Sequence, residues 1–193
     1  MLICSKITTV WLTLLLLVGP VLARLPAAAV PAPLAEHQIK ALYLFNFTKY
    51  VEWPALATGT NTAPFIIGIS EAAEVKSDLL EITRGKLIQG REIVVRTIRT
   101  AQDVPACQLV FIGTADKRRV AELLQRAQDV AVLTVGDGEG FLALGGMVNF
   151  VRQENKLRLE IGLDVVQRAR LVMSAKLLAV AVSIKGRAEP PRK

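Results

Sequence analysis

Histidine is nearly absent, with His37 alone, and cysteine is scarce, with only Cys4 and Cys107. Nucleophilic triads rest on a histidine base, and the neighbours of His37, Glu36 and Gln38, make no ligand spacing. His37 therefore reads as a capping or surface residue. No HExxH or paired-cysteine zinc pattern occurs, and no Lys-Ser/Thr phosphate loop. The acids are dispersed, so no pair of carboxylates nominates itself for acid/base work. Nothing here implies a metal, a cofactor or a catalytic residue. Aromatics make up only 5% of the chain, and the arginines are not interleaved with them, so nucleic acid is not an expected partner. There are no self-similar repeats. The one long apolar run, Ile7–Val18, falls short of the roughly 20 residues that span a bilayer.

That run has another reading. Lys6 precedes it, Gly19-Pro20 breaks it, and Val21-Leu22-Ala23 offers small or apolar residues at a cut. This is the order of a secretory signal, so residues 1–23 are expected to leave on export; cleavage after Ala29 fits as well. No membrane-spanning segment then remains. Residues 24–35 form a Pro/Ala linker, 36–185 have the length of one domain, and 186–193 are a loose basic tail.

The chain is basic, with 24 Lys and Arg against 17 Asp and Glu. Lys117-Arg118-Arg119 is the densest cluster. It reads as a solvated helix face or as a weak attraction for an anionic membrane or an acidic partner. Loss of Cys4 with the signal leaves Cys107 alone, which excludes an intramolecular disulfide. Cys107 is either a buried apolar residue or a redox-active thiol.

Hydrophobic periodicity orders the rest. A helix is expected over Glu36–Glu52, with Ile39, Leu42, Tyr43, Phe47 and Tyr50 on its core arc and Pro54 ending it. Asn46 lies inside that arc, either hydrogen-bonded or touching a ligand; its glycosylation sequon is incidental within a helix. The continuous apolar run Pro64–Ile69 reads as a strand buried on both faces, and Ile93–Ile98, Cys107–Ile112 and Val130–Val135 read as three further strands. Helices are expected at Ala73–Thr83 and across Val120–Ala127, the latter capped by Thr114 or Asp116. Gly136–Gly140 forms a tight turn whose Asp137 and Glu139 repel phosphate. Met147–Arg152 and Leu157–Ile161 form a hairpin, and helices follow at Asp164–Arg170 and Ser174–Ile184. The last is apolar nearly all round, hence deeply packed or at a subunit interface. The expected fold is α/β: a mixed, largely parallel sheet flanked by helices, with a C-terminal hairpin and terminal helices.

Several segments together carry a resemblance. Ala41–Pro54 (ALYLFNFTKYVEWP), Pro64–Ile69, Gly90–Val95, Cys107–Ile112, Leu133–Asp137 and Gly145–Phe150 follow the order of the YfiR family, and the match runs from about Glu36 to Ile184. The resemblance implies a periplasmic, dimeric regulator. It would bind and repress the periplasmic domain of an inner-membrane diguanylate cyclase, and so control cyclic di-GMP signalling and biofilm growth. The redox sensitivity of the best-understood relative uses cysteine pairs, which this chain lacks. Repression needs an exposed patch and no chemistry; Tyr50, Trp53 and Pro54 are candidates, although Trp53 at a helix end would also serve to close the core. The other reading is a small-ligand binding module, with its pocket at the strand ends near Asn46, Gly136, Asp137 and Asn149. Asn149 would otherwise be bonded within the hairpin.

Overall fold

Short runs free of charge build the middle of the sheet. In the computed structural model, which describes residues 33–53, 63–128 and 130–186, these runs are β2 (Phe65–Ser70), β5 (Leu109–Ile112) and β6 (Leu133–Gly136). β5 and β6 are buried along their whole lengths. Strands shielded on both faces need no polar alternation, which is why they read as continuous apolar runs. The remaining strands are β1 (Val51–Glu52), β3 (Leu87–Ile88), β4 (Arg91–Thr97), β7 (Val148–Gln153), β8 (Lys156–Gly162), β9 (Val172–Met173) and β10 (Ala181–Lys185). The helices are α1 (Glu36–Tyr50), α2 (Ala73–Thr83), α3 (Lys117–Ala127), α4 (Leu163–Arg168) and α5 (Ala175–Ala179), with a 3₁₀ turn at Ala101–Ala106. Leu34–Lys193 is one compact unit, separate from Met1–Pro33. The expected signal, nearly all of the linker, Pro54 and tail residues 187–193 lie outside the described residues.

Among the described residues the main sheet has the order β10-β8-β7-β6-β5-β2-β4-β3. Pairing is parallel from β4 through β7, antiparallel for β7–β8 and β3–β4, and parallel again for β8–β10. The fold is thus the expected mixed, largely parallel α/β sheet with helices on both faces. Strand alternation divides the core in two. Leu109 and Phe111 join Leu44, Phe47, Leu79 and Leu177 on one face. Val110 and Ile112 join Val104, Val120, Leu123 and Phe141 on the other. Phe150 sits among Tyr43, Phe47 and Phe111, with ring centroids 5.7–6.2 Å away. Each fully buried side chain of this size contributes roughly 1.5–3 kcal/mol of transfer free energy.

Three local expectations need correction. The core arc of α1 consists of Ala41, Leu44, Phe45, Phe47 and Thr48, whereas Leu42 and Tyr50 are 37% and 38% exposed. This helix is apolar on more than one side, and it meets α2 as well as the sheet, so a single stripe does not decide its rotation. Thr48 tolerates burial because its hydroxyl donates to the Phe45 carbonyl at 2.6 Å. Second, α1 stops at Tyr50, not Glu52, because Val51 and Glu52 pair with Met173 and Val172 of β9. Third, the helix expected across Ser174–Ile184 is one short helix and then a strand. Ser174 caps α5 by accepting from the Leu177 N–H at 3.3 Å, and β10 then pairs with β8, Ile184 opposite Ile161. Val180, Val182 and Ile184 are β-branched, a type that favours strands once a neighbouring edge is available.

Candidate functional site

The chain leaves β2 toward α2 on one face of the sheet and leaves β5 toward α3 on the other. Neighbouring strands whose exits diverge open a crevice at their carboxyl ends. A cleft of about 400 Å³ lies there, lined by Glu36, His37, Lys40, Glu71, Gly113 and Asp137 among others. Gly113 allows the close approach of the two strand exits, since a β-carbon there would meet Ala72 Cβ at 2.9 Å.

Several of the charges in this cleft pair with one another. Lys40 Nζ lies 2.8 Å from Glu36 and 2.7 Å from Asp137, and Arg152 also pairs with Glu36. Burial opposes the charge on Lys40, but the Asp137 and Glu36 carboxylates outweigh it and raise its pKa. Hydrogen bonds from Lys40 and Arg152 hold Glu36 below the usual carboxylate range. His37 Nδ1 is 2.5 Å from Asp78 Oδ2 on α2, and that hydrogen bond raises the histidine pKa. His37 is therefore a bridge between helices rather than a cap. The network joins the start of α1 to α2, to the turn after β6 and to β7. It holds no nucleophile beside a base, and no cluster of three or more metal-ligating side chains occurs among the described residues.

Of the four residues expected to line a ligand pocket, only Asp137 borders this cleft. Gly136 is covered by Phe141, whose ring would lie 2.5 Å from a β-carbon at that position. Asn149 pairs with Gly136 in register and is 3% exposed, and its Oδ1 has no hydrogen-bond partner. It alternates with Val148 and Phe150, so it faces the α3 side of the sheet. Ser70 Oγ, in the same transverse row through Ile112 and Gly136, is likewise buried without a partner. Asn46 is half-buried on α1, six residues beyond Lys40 and so ~9 Å along the axis. The four do not form one pocket. Lys40, Glu36 and Asp78 were missed, though the Glu36/Lys40 spacing of four is a recognisable helical ion pair.

Trp53 is 5% exposed, which corrects its place in an exposed patch. Its ring packs edge-on against Phe65 at 5.0 Å, and its Nε1–H donates to the Gln108 carbonyl at 2.9 Å. The indole closes the core because its one polar atom finds a partner there. Tyr50 remains accessible. Its carbonyl accepts from the Ser174 N–H at 2.9 Å, joining the end of α1 to the start of α5. Val172 (52% exposed), Val180 (53%) and Val182 (46%) belong to this C-terminal region, and β10 is an edge strand of the sheet among the described residues. Cys107 is buried, and burial pushes its thiol up to about 11, so it lacks the accessible thiolate of a redox-active cysteine.

Among the described residues this α/β domain presents an edge strand and a cleft at the strand ends, features suited to binding. The chain belongs to the YfiR/HmsC-like family, a family of periplasmic regulators, whose profile matches residues 37–182. Its fold resembles that of a solved conserved domain protein from Vibrio cholerae O1 biovar eltor, with a TM-score of 0.51 and 13% identity. The likeness covers 79% of this chain and 61% of that one, so it is a likeness of fold. No curated protein matches the sequence. No helix among the described residues is long and apolar enough to cross a membrane.

Proposed function

We propose that this protein is exported to the periplasm, where it binds and represses the periplasmic domain of an inner-membrane diguanylate cyclase, acting as a homodimer without cofactor or catalysis. The observation that carries this reading is the family match across residues 37–182. The export-signal pattern at Lys6–Ala23 supports the compartment. The surface best suited to the partner is the β10 edge with Tyr50, Val172, Val180 and Val182. An unpaired strand edge supplies backbone donors and acceptors, and exposed valines add apolar area.

The test is a binding titration of Leu34–Lys193 against the periplasmic domain of a cyclase encoded beside it. Saturable binding is expected, weakened by Tyr50→Ala and by Val182→Lys in variants with unchanged melting. No binding at tens of micromolar, where complexes of roughly −6 kcal/mol are populated, overturns it. The cleft at the divergent strand exits favours a second reading, a periplasmic small-ligand module. A ligand-dependent rise in melting temperature lost in Asp137→Asn distinguishes that reading.

A further inference from the structure

We propose that the face carrying α3 and the Ala101–Ala106 turn docks electrostatically on a bilayer surface that contains anionic phospholipid. Arg96, Arg99, Arg118 and Arg126 are exposed, and none makes an ion pair among the described residues. They share one side of the sheet. Arg96 lies close enough to Cys107 to influence its thiol, and the Arg119 guanidinium donates to the Arg99 carbonyl at 2.6 Å. Arg118 and Arg126 stand on the outer side of α3, away from its buried Val120, Leu123, Leu124 and Ala127.

The acids on this face offset them only in part, Asp103 lying close enough to Arg99 to feel its charge. The Asp103 carboxylate accepts from the backbone N–H groups of Arg99 and Thr100, and Asp116 caps α3 by accepting from those of Arg118 and Arg119. Glu122 pairs with Arg119 at 2.9 Å. Glu139 borders a small cleft with Lys117, at the rim. Glu92 lies four residues from Arg96 along β4, ~13 Å away.

The kind of partner follows from what the face lacks. A protein interface is organised around buried apolar or aromatic anchors. Here the exposed large apolar residues among those described are Leu144, beside Lys117, and Leu87, opposite Glu92 on the edge strand β3. Charge without an apolar centre suits a headgroup layer, where each cation near the surface adds attraction that salt screens. Docked in this way, the sheet edge at β10 lies alongside the bilayer rather than against it.

The experiment is cosedimentation of Leu34–Lys193, the separate compact unit, with phosphatidylcholine vesicles containing about 30% phosphatidylglycerol, against pure phosphatidylcholine. Binding to the anionic vesicles alone is expected, falling as salt rises toward ~0.15 M. Arg118→Glu with Arg126→Glu is expected to weaken it at least ~25-fold, fivefold for each cation. The charge-matched control, Lys156→Glu with Lys176→Glu, retains most of the binding. No binding to anionic vesicles at low salt, equal binding to neutral ones, or an equal loss in the control pair overturns the proposal.

Discussion

The indole N–H of Trp53 donates to the carbonyl oxygen of Gln108 at 2.9 Å, and the Gln108 side chain in turn accepts from the Ile66 N–H at 2.7 Å. One glutamine thereby ties the chain after β1 to the start of β2 and the approach to β5. Trp53→Ala is expected to lower stability by about 3–5 kcal/mol through loss of a buried ring. Trp53→Phe, which keeps much of the apolar area and loses the hydrogen bond, should lower it by about 1 kcal/mol. Trp53 is the single tryptophan of Leu34–Lys193. Its fluorescence, blue-shifted and shielded from acrylamide in the native state, follows the denaturant titration that measures both variants.

The His37–Asp78 bridge gives the α1–α2 contact a pH dependence. The hydrogen bond to Asp78 raises the folded-state pKa of His37 above the unfolded value. Its stabilising effect is therefore complete below the ordinary histidine range and fades as pH rises through the raised value. The melting temperature of the wild type should fall between about pH 6 and pH 8.5 by more than that of His37→Gln. Equal pH profiles for the two would show that the bridge contributes nothing.

Phe141 packs against two glycines. A β-carbon at Gly136 or Gly146 would collide with its ring, which is itself only 2% exposed. Gly146→Ala is expected to destabilise by about 1–3 kcal/mol. Gly146→Ala combined with Phe141→Leu should lose less than the sum of the two single changes, because the smaller side chain relieves the overlap. Additive losses in chemical denaturation would place the strain elsewhere.

The Cys107 thiol lies against Gly68 and the Asp103 carbonyl. With burial pushing its pKa to about 11, the native protein should react with Ellman's reagent far more slowly than the denatured protein. Cys107→Ala should leave partner binding unchanged under oxidising and reducing conditions alike. A fast native reaction would restore a redox role.

Asn149 carries a buried Oδ1 without a partner, and such an orphan lowers stability. Asn149→Leu, similar in size and without the unmet acceptor, is expected to raise stability by about 1 kcal/mol. A clear loss instead would mean that the amide is engaged by a group that enters from the α3 side.

The strands β2, β5 and β6 were legible because a strand covered on both faces shows itself as an uninterrupted apolar run. The β7–β8 hairpin was legible for a different reason. Leu157, Leu159 and Ile161 alternate with Arg158 and Glu160, and Glu154-Asn155 adopts the positive φ that its tight turn requires. Helix α3 was legible because its apolar stripe is narrow and Asp116 caps it. These are local signals, and local chemistry is enough to produce them.

The rotation of α1, the division of Ser174–Ile184 into α5 and β10, the burial of Trp53 and the charge network of the cleft were not legible. Each depends on which distant segment lies alongside. α1 turns toward α2 as well as the sheet, and β10 forms because β8 presents an unpaired edge. Trp53 turns inward because Gln108, remote in sequence, places a carbonyl where its N–H can reach. Lys40 meets Asp137 only because β6 ends beside the start of α1. The sequence by itself determined the class of fold, since composition and period suffice for it. Which polar groups meet and which apolar ones stay outside was decided by tertiary structure, because burial and hydrogen bonding are properties of pairs that the chain brings together only on folding.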